Sequence, residues 1–171
     1  MPETHTATSG RRAAGQDPAA RLARLRMSSL GLVVMLILEF ILGMIYNLYG
    51  TAPTSAKSIG LFSSPDLALH VILGILLFIA AAMQLVRAIG TGHKLTIWMS
   101  AAGLAGILGA GFAGLGFTGS GAAGASLGMA LAFVVSLAAY VVLVFALPSS
   151  STAPSSSTAP SSSTAPSSST T

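Results

Sequence analysis

Four long apolar stretches constrain this chain more than any other feature of its sequence. They cover about residues 29–48, 67–88, 95–117 and 124–147, and each reaches the ~20 residues that a helix needs to cross ~30 Å of hydrocarbon. Only 7% of the 171 residues are charged, whereas a soluble domain carries about 25%. The sequence therefore predicts an all-α membrane protein, an up-down bundle of four transmembrane helices at residues 29–147.

The first apolar stretch is predicted to stay in the protein as a membrane span. A cleaved signal peptide would be shorter, would lack a central acidic residue such as Glu39, and would end in a small-x-small cleavage site. The second stretch follows Ser64-Pro65-Asp66, which is a helix-start signal because it places a capping serine before a proline in the first turn.

Polar segments are expected on both sides of the bundle. We expect residues 1–28 to be a disordered leader that ends in a short basic helix beginning at Asp17-Pro18. This helix either lies on the cytoplasmic lipid face or only sets the topology. Residues 148–171 repeat PSSSTA and are predicted to be disordered. Such tracts are typical of extracellular glycosylated stalks, so either this tail is a spacer or one apolar stretch does not cross.

The basic residues predict the orientation of the spans. Seven of the eight lysines and arginines precede the first span or flank the short connection between the second and third, and Lys57 alone lies in the first loop. Cations mark the cytoplasmic side of a membrane. We therefore expect a multi-pass protein of the plasma membrane with both termini in the cytoplasm. This charge pattern reflects membrane orientation and does not form a patch for nucleic acid.

The sequence offers little for catalysis. It contains no cysteine, which removes disulfides, thiolate nucleophiles and thiolate metal sites together. It contains no Ser–His–Asp set, no paired carboxylates and no HExxH spacing. We expect no enzymatic activity, no cofactor and no metal. The first hypothesis is an accessory or scaffold subunit that works in the lipid bilayer as a homo-oligomer or in a larger membrane protein complex.

Small residues recur at every fourth position of the third span. Ala102, Gly106, Ala110 and Gly114 form one such series. Small side chains let helix backbones approach closely, which is how membrane helices associate without a hydrophobic driving force. The third span is therefore predicted to be either the central packing helix or a dimer interface.

Glu39 is the sharpest candidate for a functional residue. It lies ~15 Å from either end of the first span, close to the membrane midplane. A charged carboxyl costs ~2.5–3.5 kcal/mol there, so we expect it to face the bundle interior and to hold a proton. It forms either a proton-exchange or solute site, for which a proton-coupled carrier is the second hypothesis, or a hydrogen bond to a neighbour such as Ser136, whose depth is similar.

His70 lies about one turn from the outer end of the second span. Its predicted depth differs from that of Glu39 by ~10 Å, so we do not expect the two side chains to meet. His70 is either an axial haem ligand, an outer-side proton acceptor, or an interfacial histidine bonded to Tyr46 or Asn47.

Haem is the third hypothesis, and it needs a second axial ligand. His93 is predicted on the opposite side of the membrane. A b-type haem would therefore require a dimer or a methionine partner, and Met44 and Met129 are the candidates near the outer side.

Three segments carry a resemblance to known proteins. They resemble segments of small four-helix membrane proteins of high-GC actinobacteria, and they read GMIYNLYGTAP, LHVILGILLFIAAAMQLVRA and ASLGMALAF. This resemblance implies a four-helix architecture and no mechanism. The chain is more loosely similar to small multidrug-resistance transporters, which have a glutamate in the first helix and a glycine-rich third helix. That resemblance implies a proton/drug-exchange role for Glu39. The chain differs from these transporters in its longer loops and its strong charge bias.

Overall fold

The computed structural model describes residues 18–50, 53–54 and 56–147, and within them the chain forms four α-helices and no β-strand. Each helix is long and apolar enough to cross a membrane. The all-α class is thereby confirmed, as are four helices at the predicted apolar stretches that are long and apolar enough to span a membrane. The helices are α1 (Pro18–Tyr49), α2 (Pro65–Ile89), α3 (Lys94–Ser120) and α4 (Ala123–Ala146).

Helix α1 is longer than the first apolar stretch. It begins at Pro18 and continues without interruption to Tyr49, so the basic segment forms its first turns and is not a separate short helix. Its 32 residues correspond to about 48 Å of helix at 1.5 Å per residue. Asp17, the leader 1–17 and the tail 148–171 lie outside the described residues.

Helix α2 starts where the sequence indicates. Ser64 has extended backbone angles, and its Oγ accepts a hydrogen bond from the backbone N–H of Leu67 at 3.4 Å. Pro65 takes the first helical position, where its missing N–H costs nothing. Asp66 lies in the first turn, where a negative charge interacts favourably with the helix dipole. The predicted Ser-Pro-Asp start is confirmed.

Each helix packs against two others. α1 contacts α2 and α4, and α3 contacts α2 and α4, with the most extensive contact between α3 and α4. Within the described residues, the backbones of the diagonal pairs, α1 with α3 and α2 with α4, do not approach each other closely. The helices therefore surround a common interior instead of filling it with a central helix.

Glycines bring α3 and α4 together. A Cβ on Gly106 would overlap Ser136 Oγ and lie 2.7 Å from the carbonyl oxygen of Ala132, and a Cβ on Gly114 would touch Met129 Sδ at 3.5 Å. Two members of the predicted small-residue series thus face α4. Gly103, which is outside that series, makes the same kind of close approach to the ring of Tyr140.

The connection between α1 and α2 folds over the end of α3. The N–H of Ile59 donates to the carbonyl of Thr118 at 3.0 Å, which satisfies one of the carbonyls that a helix leaves free in its last turn. The chain then turns at Gly121, whose φ of +67° is left-handed. A Cβ on Gly121 would also overlap the carbonyl oxygen of Pro53. Glycine is therefore required at this position for both reasons.

The facing sides of α1 and α2 follow a heptad pattern. Buried residues on each helix are separated by alternately three and four positions, as in coiled coils. The α1 series is completed by Glu39 and Gly43, which occupy the two heptad positions between Leu36 and Tyr46. The α2 series is completed in the same way by His70 and Gly74, between Leu67 and Leu77. The buried residues are Leu25, Ser29, Leu32, Leu36 and Tyr46 on α1, and Leu67, Leu77, Ala81, Gln84 and Ala88 on α2.

Candidate functional site

One antiparallel register relates α1 to α2. Gln84 Nε2 donates to Ser29 Oγ at 2.8 Å, and this contact fixes the pairing near one end of the two helices. Further along the two helices, Glu39 faces Gly74. Glu39 is ten residues after Ser29 on α1, and Gly74 is ten residues before Gln84 on α2. The register therefore brings Glu39 to within one helical turn of His70.

Glu39 and His70 are in direct contact. Oε1 of Glu39 lies 3.1 Å from Nδ1 of His70, and the exposed fractions of the two side chains are 16% and 28%. The contact has the distance of an ion pair but not the angular geometry of a hydrogen bond. The other carboxylate oxygen, Oε2, is buried without a hydrogen-bond partner among the described residues.

This contact overturns the expectation that the two residues are too far apart to meet. That expectation measured each depth from the ends of an apolar stretch. The register places His70 opposite Gly43, only one turn from Glu39, which is about 6 Å along the helix axis. Two side chains of this length span such a distance.

Two glycines make room for the pair. A Cβ on Gly74 would lie 2.9 Å from Glu39 Oε1, and a Cβ on Gly43 would lie 3.2 Å from His70 Cε1. Gly43 is one turn beyond Glu39 on α1, and Gly74 is one turn beyond His70 on α2. The Glu39 side chain therefore lies over Gly74 of α2, and the His70 side chain lies over Gly43 of α1.

The pair lines a cavity of about 520 Å³ that all four helices enclose. Its wall is predominantly apolar and includes Phe40 and Phe133, whose rings stack with their centroids 4.7 Å apart. Cavities of this size and composition, with a few polar groups, are typical of small-molecule sites. The remaining polar residues of the lining are Tyr46, Asn47, Thr118, Ser126 and Ser136.

Ser136 lines this cavity, but its hydroxyl is hydrogen-bonded to backbone carbonyls of α3 and α4. Its Oγ lies 3.1 Å from the carbonyl oxygen of Gly103 and 3.0 Å from that of Ala132, and both accept from its single proton. The hydrogen bond between Glu39 and Ser136 that the sequence left open is not made, because Glu39 Oε2 has no partner among the described residues and Oε1 contacts His70. The Ser136 hydroxyl serves the α3–α4 contact instead.

The arrangement places two groups that can bind or release a proton next to each other, Glu39 and His70. An ionised carboxylate attracts a positive group more strongly in apolar surroundings than in bulk water, because the effective dielectric constant is lower there. Met44 and Met129 also line the cavity, while the described residues hold no group of three or more residues suited to a metal ion.

A sequence signal for this pair exists, although the predictions did not use it. Glu39 and Gly43 have the same four-residue spacing as His70 and Gly74, and each pair continues the heptad series of its helix. In neighbouring antiparallel helices, such matched spacings predict that each large side chain packs over the other helix's glycine. The relative register is the extra information that this prediction needs.

Comparisons of the chain with protein-family models, with curated proteins and with solved structures found no match.

Proposed function

We propose that this chain is a multi-pass protein of the plasma membrane that exchanges protons for a small solute in its interior. In this proposal the four helices cross the bilayer up and down and both termini are cytoplasmic. The four apolar helices and the distribution of lysine and arginine support that topology. The solute would be an organic cation with an apolar body.

One observation carries the proposal, which is the contact between Glu39 and His70 inside the four-helix cavity. In the proton-loaded state the Glu39 carboxyl is neutral. When an ammonium group enters, the carboxyl releases its proton to His70 or to water, and the carboxylate pairs with the ammonium. The aromatic wall supports this choice of solute, because ring faces attract cations.

The placement of Glu39 favours this function over that of an accessory or scaffold subunit, the first hypothesis from the sequence. An ionisable residue in the membrane interior is rare and usually functional, and packing helices together requires no such residue. The scaffold hypothesis stays a prediction, as does the oligomeric state. The haem hypothesis also stays a prediction, and the absence of a Soret band from purified protein would exclude it.

The test is proton movement in proteoliposomes that contain a pH-sensitive dye. We expect the wild-type protein to move protons when a panel of small organic cations is supplied on one side. Glu39→Gln should abolish this movement, because an amide keeps the shape of the carboxyl but cannot release its proton. Asp66→Asn is the matched control, since it also removes a carboxyl from a helix but lies outside the cavity lining.

Two results would contradict the proposal. One is that no cation of the panel causes proton movement that depends on Glu39. The other is that Asp66→Asn reduces the movement as much as Glu39→Gln does, because the loss would then reflect general damage.

A further inference from the structure

A second set of polar side chains lies inside the bundle, away from the cavity. The set has five members, and each is fully buried, with 0% of its surface exposed. Polar groups buried to this degree in folded proteins are nearly always hydrogen-bonded. We call this set the inner polar layer, and it consists of Ser29, Gln84, Thr96, Ser100 and Tyr140.

Contacts between helices place the members from α1, α2 and α4 at one level. Gln84 of α2 donates to Ser29 of α1 at 2.8 Å. Arg26, less than one turn before Ser29, donates from Nε to the carbonyl of Val144 at 2.8 Å. Tyr140 lies one turn before Val144 on α4, and Ser29 lies less than one turn after Arg26 on α1. Because α1 and α4 run in opposite directions, Tyr140 and Ser29 are at the same level.

Helix α3 supplies the remaining members. The ring of Tyr140 packs on Gly103, where an added Cβ would lie 2.9 Å from the Tyr140 hydroxyl. Ser100 is about one turn before Gly103, and Thr96 is one turn further back. Tyr140 also packs in the same cluster as Leu25 of α1 and Ala81 of α2, so it reaches into the interior from α4.

Four atoms of the inner polar layer lack a partner within the described part of the protein. They are Gln84 Oε1, Thr96 Oγ1, Ser100 Oγ and Tyr140 Oη. Leaving a buried polar atom without a hydrogen bond destabilises the folded state, so four such atoms in one region call for a partner. They include both donors and acceptors, because a hydroxyl can donate whereas the glutamine oxygen can only accept.

We infer that the inner polar layer is a binding site for water molecules. Water both donates and accepts, so it can satisfy hydroxyl groups such as that of Tyr140 and an acceptor such as Gln84 Oε1 alike. Buried waters with about three such bonds are regular parts of protein structures. A metal cation fits less well, because the layer contains no carboxylate and a cation would leave the hydroxyl donors unused.

The layer lies beyond an apolar barrier from the cavity. Ser29 is about 15 Å from Glu39 along α1, and apart from Ser136 the buried side chains between the two levels are apolar. If the proposed proton exchange is correct, the layer is the first place on that side of the barrier where a proton meets hydrogen-bonding groups. The barrier consists of Leu32, Leu36, Leu77, Ala81 and Ile107.

Radiolytic footprinting of the full chain in nanodiscs tests the water site. X-rays generate hydroxyl radicals from bound water, and these radicals label the side chains next to it. We expect Tyr140 to be labelled although it is fully buried. Gln84→Leu, which removes one partner of the water, should lower that labelling severalfold. Leu77→Met is the matched control, since it changes an apolar residue of α2 with little change in volume, and it should leave the labelling unaltered.

Several outcomes would overturn the inference. They are wild-type Tyr140 without label, unchanged labelling in Gln84→Leu, or loss of label when sodium or potassium replaces choline, which would assign a metal ion. Circular dichroism checks that each variant is folded, and Ser100→Ala replaces Gln84→Leu if the latter is not. The experiment measures no transport, so a failure of the proposed function with intact labelling would leave the water site standing.

Discussion

Glu39 and His70 contact each other across two antiparallel helices, and each packs over a glycine that lies one turn from the other. Oε1 of Glu39 is 3.1 Å from Nδ1 of His70. A Cβ on Gly74 would displace the Glu39 carboxyl, and a Cβ on Gly43 would press on the His70 ring at 3.2 Å. The glycines therefore belong to the candidate site as much as the two ionisable groups do.

Gly74→Ala is expected to reduce solute-coupled proton movement without unfolding the protein. The new Cβ would lie 2.9 Å from Glu39 Oε1, so the carboxyl must shift, which disturbs its contact with His70. Alanine in a helix is favoured over glycine by about 1 kcal/mol, so helix content should not fall. The proteoliposome assay and circular dichroism measure the two quantities.

Gly31→Ala is the control for this variant. It makes the same change in α1 at a position where an added Cβ meets no atom of the described chain within 4 Å, and we expect full activity. Equal activity in Gly74→Ala and the wild type would show that the glycine does not position the pair.

Gly106→Ala is expected to destabilise the α3–α4 contact. Its Cβ would overlap Ser136 Oγ and approach the carbonyl oxygen of Ala132, and a backbone atom cannot move aside without separating the helices. Overpacking of this kind costs about 1–3 kcal/mol. Thermal unfolding in detergent measures the effect. Gly111→Ala on the same helix meets open space among the described atoms and should be neutral, so an equal loss in both variants would count against the close packing.

Gly121→Ala is expected to loosen the connection between α1 and α2. A left-handed conformation costs roughly 1–2 kcal/mol for a residue other than glycine, and the added Cβ would overlap the carbonyl of Pro53. We expect a lower unfolding temperature and faster proteolysis near Pro53. Gly60→Ala, which has neither a positive φ nor a close neighbour in the described structure, should behave like the wild type. Unchanged proteolysis in Gly121→Ala would contradict the predicted role.

The sequence predicts the helices well because their signals are local. Apolar length identifies the four helices, and Ser64-Pro65-Asp66 marks the start of α2 at the observed residue. Gly106 is predicted correctly as a close-packing position for the same reason, since small residues at helical spacing are visible along one segment. Such features depend on neighbours within a few residues.

The candidate site was predicted only in part because it depends on how two helices align. The sequence points to both Glu39 and His70, but their relative depth depends on how α1 and α2 align, and the register reduces the predicted offset of ~10 Å to about 6 Å. The register follows from side chains that interlock, such as Ser29 with Gln84. The contact of Pro53 with Gly121 is similarly invisible, because it joins residues far apart in the chain.

The close packing of α3 on α4 implies that the helix contacts of this protein differ in stiffness. Backbone approaches backbone at Gly106, whereas α1 meets α4 through the stacked rings of Phe40 and Phe133 and the bond from Arg26. Side chains can change rotamer and keep contact, but close-packed backbones cannot slide without clashes. We therefore expect the α3–α4 hairpin to deform least, and rearrangement around Glu39 and His70 to occur more readily where α1 meets α4.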